Sequence, residues 1–111
     1  MSIPELKVCG HIGAIICAQD GVISMAEEAR LYEILCTRFN GFSHPDFNEL
    51  IDEFFNSSTT LENYASLVTT DELKHFIVYL CSESASADGL DIRENFAMQK
   101  LLVIWDAKSD E

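Results

Sequence analysis

The chain has 111 residues, 48% of them hydrophobic, enough for one domain that buries roughly 65% of its unfolded surface. Its 19 acids against 7 lysines and arginines give a formal charge of −12. That excludes the basic face that nucleic acid requires and disfavours direct docking on anionic lipid, leaving cations and basic proteins as partners.

The first predicted helix, residues 4–19, follows Pro4 and is apolar on most faces. Its apolar core "VCGHIGAIICA" is too short for a bilayer, which takes ~20 residues. His11 within it reads as a neutral core histidine that needs one hydrogen-bond partner. Cys9, Cys17, Cys36 and Cys81 lie far apart with no C-x-x-C, which predicts reduced, buried thiols in a cytoplasmic protein.

A second helix over residues 24–39 opens on the capping box Ser24-x-x-Glu27 and carries Leu31, Ile34, Leu35 and Phe39. A third, residues 44–56, starts after Ser43 and places Phe47, Leu50, Ile51, Phe54 and Phe55 in one stripe. Thr59-x-x-Glu62, Thr69-x-x-Glu72 and Asp91-x-x-Glu94 start helices over residues 60–67, 70–86 and 91–107. The fifth carries Leu73, Phe76, Ile77, Leu80 and Cys81. The sixth is apolar nearly all round toward its end, and helices like it and the first are usually central. With no strand pattern, the expected fold is all-α. It is a compact six-helix bundle forming a single domain over residues 1–111.

One element occurs twice. "AQDGVISMAEEAR" and "SADGLDIRENF" each put Asp-Gly after a helix, then a cap (Ser24 or Asp91), then a glutamate (Glu27 or Glu94). This suggests two pseudo-symmetric helix–Asp-Gly–helix hairpins. The first copy resembles the back half of an EF-hand loop, but such a loop needs oxygen ligands at its first and third positions. Those positions hold Ile16 and Ala18, so the EF-hand reading fails.

The acids fit two accounts. Glu27 and Glu94 lie at helix N-termini, where a carboxylate is favourable by ~0.3–1 kcal/mol without a ligand. Asp20 and Asp88 lie near helix C-termini, where the dipole disfavours them by a similar ~0.3–1 kcal/mol. Each Asp can turn forward to cap the next helix. If the hairpins pack together, a shared divalent cation would instead relieve the repulsion among the four carboxylates.

On a small, acidic, helical chain, A-x-D-G-x-I-S-x-x-E-E (Ala18 to Glu28) with S-A-D-G-L-D-I-R-E (Ser86 to Glu94) resembles the tellurite-resistance TerB-like family. The resemblance covers residues 6–105 and resides in the two Asp-Gly motifs. Gln19 replaces a small residue of the family pattern, and the second copy is one residue shorter before its cap. The resemblance implies a non-enzymatic domain serving tellurite or other chemical stress, or phage resistance. It implies action in a protein complex near the inner membrane without insertion, and a calcium-like divalent cation on Asp20, Glu27, Asp88 and Glu94.

Other chemistry finds little support in the residues. No His-x-x-x-His or His/Cys cluster offers a zinc site. Ser, His and Asp occur at no spacing that suggests an enzyme. The rival reading is an acidic module that binds a basic partner without metal, as an immunity protein does, through Glu49, Asp52, Glu53 and Glu62.

Overall fold

The computed structural model describes residues 5–19, 23–56, 60–87 and 92–109, with side chains of the last stretch described through Trp105. They form six helices, α1 Glu5–Cys17, α2 Met25–Arg38, α3 His44–Phe55, α4 Leu61–Ala65, α5 Asp71–Ala85 and α6 Ile92–Ser109. Among the described residues there is no strand. The all-α expectation holds, and the helix boundaries fall close to those expected from the sequence.

The caps explain the starts. Ser24 Oγ accepts the Glu27 amide, and Glu27 Oε1 accepts the Ser24 amide at 2.9 Å, closing a reciprocal box. Ser43 and Asp46 close a second box, with Pro45 in the first turn of α3. The two threonine boxes are corrected by one residue. Thr60 caps α4 through the Asn63 amide, and Thr70 caps α5 through the Leu73 amide. Thr59 and Asp91 lie outside the described residues; Thr69 precedes the cap of α5.

Helix α1 is the hub. It packs against all five other helices and buries Val8, Cys9, Ile12, Ala14, Ile16 and Cys17. Two glycines make the close approach possible. A Cβ on Gly10 would come within 2.7 Å of Leu50 Cδ2, and one on Gly13 within 2.6 Å of Leu31 Cδ2. Helices α3 and α2 therefore sit where a larger residue would hold them off.

His11 ties α1 to two neighbours at once. Its Nε2 lies 3.0 Å from the Leu50 carbonyl oxygen and its Nδ1 2.7 Å from the Tyr64 hydroxyl. A carbonyl can only accept, so Nε2–H donates to Leu50 and Nδ1 accepts from Tyr64. Burial holds the imidazole below its ordinary pKa, partly opposed by the Leu50 carbonyl, so it is the neutral core histidine expected. Short α4 is pinned on its other side by Trp105, whose indole N–H donates to the Ala65 carbonyl at 3.2 Å.

Ion pairs give the helix directions. The Arg38 guanidinium, in the last turn of α2, lies 3.0 Å from both Glu5 at the start of α1 and Glu72 at the start of α5. Near the other end of α2, Arg30 bonds Glu33 and reaches Glu83 in the last turn of α5 at 2.9 Å. Helix α2 thus runs antiparallel to both α1 and α5, and α1 and α5 run parallel. Gly13 meeting Leu80 fits that register, eight residues into α1 and nine into α5 by their first residues.

The sixth helix departs from expectation. Its inner face buries Glu94, Ala97, Met98, Leu101 and Trp105, but Ile92, Phe96 and Val103 are exposed. An apolar circumference predicts a central helix, and α6 is instead peripheral, with apolar residues turned outward.

Candidate functional site

The parallel course of α1 and α5 has a direct consequence for the repeated motif. Both helices end at the same end of the bundle, so the α1–α2 and α5–α6 connections both leave from there. The helices that follow also begin there. Arg30, early in α2, meets Glu83 at the end of α5, and Arg93 and Ala97, early in α6, share a groove with Ile15 and Gln19 at the end of α1.

Glu27 and Glu94 therefore both belong to this end. They are 3% and 5% exposed, and they are the only buried carboxylates among the described residues. The other described acids lie at the surface or half-buried. Exposed acids keep their hydration; a buried carboxylate must find donors or a cation.

Glu27 has one donor in the Ser24 amide, whose position is fixed by the extended backbone of the cap (φ −70°, ψ 162°). That bond belongs to helix capping. An ionised carboxylate offers about four acceptor positions, so capping does not exhaust it. Ser84, fully buried near the end of α5, brings a hydroxyl without a hydrogen-bond partner to the core of the same end.

Asp20, Gly21, Asp88 and Gly89 lie outside the described residues. The structure therefore brings Glu27 and Glu94 to one end, while the two aspartates and the mirrored hairpin turns are not described. Among the described residues no three acids, histidines or cysteines gather as a metal-holding group. A set completed by the two aspartates would be all oxygen, which suits a hard cation such as calcium or magnesium rather than zinc.

The thiols sit elsewhere. Cys9, Cys17 and Cys81 are buried and Cys36 is half-buried, all as free thiols. Burial pushes Cys9 up to about 12 and raises Cys81 further, so both stay protonated and unreactive at neutral pH.

Of the acids of the rival reading, three lie on α3, whereas Glu62 lines the groove between the end of α1 and the start of α6. Glu49, Asp52 and Glu53 on α3 and Glu62 on α4 are all exposed. Lys7 bonds Glu53 at 2.6 Å and Lys100 pairs with Glu62 at 3.1 Å. The described ion pairs leave Glu49 and Asp52 without a basic partner.

Sequence reasoning missed the His11–Tyr64 pair and the double bridge of Arg38. Both join residues more than 30 positions apart, and no local spacing signals such contacts. Compared with protein-family models, curated proteins and solved structures, the chain matches none.

Proposed function

We propose that the chain is a non-enzymatic, TerB-like helical domain. It holds a divalent cation through Asp20, Glu27, Asp88 and Glu94 and serves a cytoplasmic stress-response or phage-resistance complex. One observation carries this reading. Of all described acids, only Glu27 and Glu94 are buried, and they lie at the same end of the bundle. Each begins the helix that follows an Asp-Gly pair. Capping alone places a carboxylate at a helix start; Asp46 in the α3 cap shows this while exposed. Beyond its capping bond, buried Glu27 keeps acceptor positions that a cation would fill.

The chemistry assigned to the cation is charge neutralisation, which stabilises this end and sets the shape that a protein partner meets. The test is thermal unfolding with and without millimolar calcium for wild type, Asp20→Ala and Glu27→Gln. Calcium should raise the wild-type Tm and raise both variants less. Identical wild-type melting temperatures in calcium and in chelator would sink the reading.

A second reading is supported by the exposed acids Glu49 and Asp52, which stand without a basic partner among the described ion pairs. On that account the α3 face docks a basic protein and no metal takes part. Charge reversal at Glu49 and Asp52 should then abolish salt-sensitive binding to a cationic model protein and leave any calcium response unchanged.

A further inference from the structure

The end of the bundle that carries Glu27 holds a polar atom that no capping rule explains. Ser84 Oγ, in the last turn of α5, is fully buried and has no hydrogen-bond partner. A serine or threonine inside a helix ordinarily returns its hydroxyl to a carbonyl three or four residues back. Ser86 Oγ does so, donating to the Ser82 carbonyl at 2.6 Å, and Thr37 Oγ1 donates to the Ile34 carbonyl at 2.6 Å. Ser84 does not, so its hydroxyl is turned from its own backbone toward the packed interior. A buried hydroxyl without a partner destabilises a fold unless something else completes it.

The packing of three helices says what shares its level. A Cβ on Gly13 would meet Leu31 Cδ2 at 2.6 Å and Leu80 Cδ2 at 3.4 Å, so Gly13, Leu31 and Leu80 form one layer across α1, α2 and α5. Helix α2 runs antiparallel to the other two. One helical turn of about four residues nearer the repeat, the next layer is therefore Cys17, Glu27 and Ser84. All three are buried. The Arg30–Glu83 pair, at 2.9 Å, falls between these two layers and agrees with the same register. Cys17 ends α1, Ser84 is the last residue but one of α5, and Glu27 is the third residue of α2. The layer thus lies where α1 and α5 stop and α2 starts.

We propose that Ser84 Oγ is an oxygen ligand, supplied from α5, of the divalent cation that Glu27 helps to hold. The proposal rests on the cation reading above and adds a ligand that lies outside both Asp-Gly motifs. Glu27 gives one acceptor position to the Ser24 amide and keeps others. Ser84 shares its level without bonding to it, so each oxygen keeps a position that one ion between them would take. A water molecule would complete the hydroxyl but not the buried charge; a hard cation completes both, because it accepts neutral and charged oxygens together. Two oxygens of this kind favour calcium or magnesium over a thiophilic metal. Binding there ties the start of α2 to the end of α5, beside the bridge that Arg30 and Glu83 already make.

The test is isothermal titration calorimetry of the whole chain with calcium chloride, beside thermal unfolding by circular dichroism in calcium and in chelator. Wild type should bind calcium and melt higher with it. Ser84→Ala should weaken calcium binding at least about tenfold. In chelator it should melt no lower than wild type, because it no longer buries an unpartnered hydroxyl. Ser84→Cys keeps the size of the side chain but offers a soft sulfur, and should weaken calcium binding as well. Ser86→Ala, whose hydroxyl is satisfied within its own helix, should bind as wild type does. Unchanged calcium affinity in Ser84→Ala and Ser84→Cys overturns this proposal and leaves the cation reading intact. Ser84→Ala melting lower than wild type by the same amount in calcium and in chelator also overturns it, since Ser84 would then serve packing alone. A wild type that neither binds calcium nor melts higher with it overturns the proposal and the cation reading together.

Discussion

Helices α1 and α6 have similar raw material and different fates. Helix α1 is apolar over most of its length and α6 toward its end, yet α1 is enclosed by five neighbours and α6 turns Ile92, Phe96 and Val103 to solvent. The difference lies in small residues. Gly10 and Gly13 let Leu50 and Leu31 descend onto the α1 backbone, so several helices can surround it. The described outer face of α6 has no such notch and presents full-sized side chains. Hydrophobicity decides that a helix wants covering; side-chain size decides how many neighbours from its own chain can cover it.

The largest effect should come from equal truncations on the two helices. Ile12 is fully buried in α1, and Ile12→Ala should cost about 2–5 kcal/mol in urea unfolding. Ile92→Ala, the same chemistry at the exposed start of α6, should stay within about 0.5 kcal/mol in dilute solution. Comparable losses at the two sites would mean that α6 is as enclosed as α1.

The next effect concerns what binds the two helices together through α4. Tyr64→Phe removes the hydroxyl that donates to His11 Nδ1 and leaves a buried acceptor unsatisfied, at a cost of about 1–3 kcal/mol near neutral pH. The same contact predicts a pH response. The folded His11 has a depressed pKa, so below about pH 6.5 the unfolded chain binds the proton that the folded chain refuses. This contribution is complete above that pH and is lost as pH falls toward the folded value, with a slope of at most about 1.4 kcal/mol per pH unit. In His11→Gln that part of the slope should vanish, measured by urea unfolding across pH 5 to 7.5.

A smaller effect should follow from filling the notch in α1. Gly10→Ala gains helix propensity of about 0.5–1 kcal/mol but drives a methyl group against three carbons of Leu50. Overpacking in a dense core costs about 1–3 kcal/mol, so a net loss near 1 kcal/mol is expected. A stabilised Gly10→Ala protein would show that α3 can retreat freely, and that the notch is not what makes α1 the hub.

Most of this architecture was legible in sequence because it rests on local rules. Apolar spacing and caps located all six helices. The cap register slipped at Thr59 and Thr69, where a glutamate three places on spelled a full box. Thr60 and Thr70 serve instead, although Asn63 and Leu73 close no reciprocal box. Core packing decides there: starting α4 at Leu61 turns Leu61, Tyr64, Ala65 and Val68 inward together. The candidate acids divide similarly. That Glu27 caps α2 was legible from Ser24-x-x-Glu27; that Glu27 and Glu94 are both buried at one end was not. It depends on the parallel course of α1 and α5, which long-range pairs such as Arg38–Glu5 and Arg38–Glu72 mark and no local pattern announces. The placement of α6 was misjudged for a related reason. Periodicity reports how much of a helix is apolar and is silent on whether the cover belongs to the same chain.

The smallest effect tests the outer face of α6 directly. Val103→Ala removes two methyl groups from a side chain that is 65% exposed, so little core contact is lost. Alanine is also the better helix former, by about 0.5 kcal/mol over a β-branched residue. The two contributions nearly cancel, and stability should change by less than about 0.5 kcal/mol, at most about 2–4 degrees in Tm. A loss of about 1 kcal/mol or more in Val103→Ala, read by urea unfolding, would instead show that Val103 is packed as the α1 residues are and that α6 is enclosed on both faces.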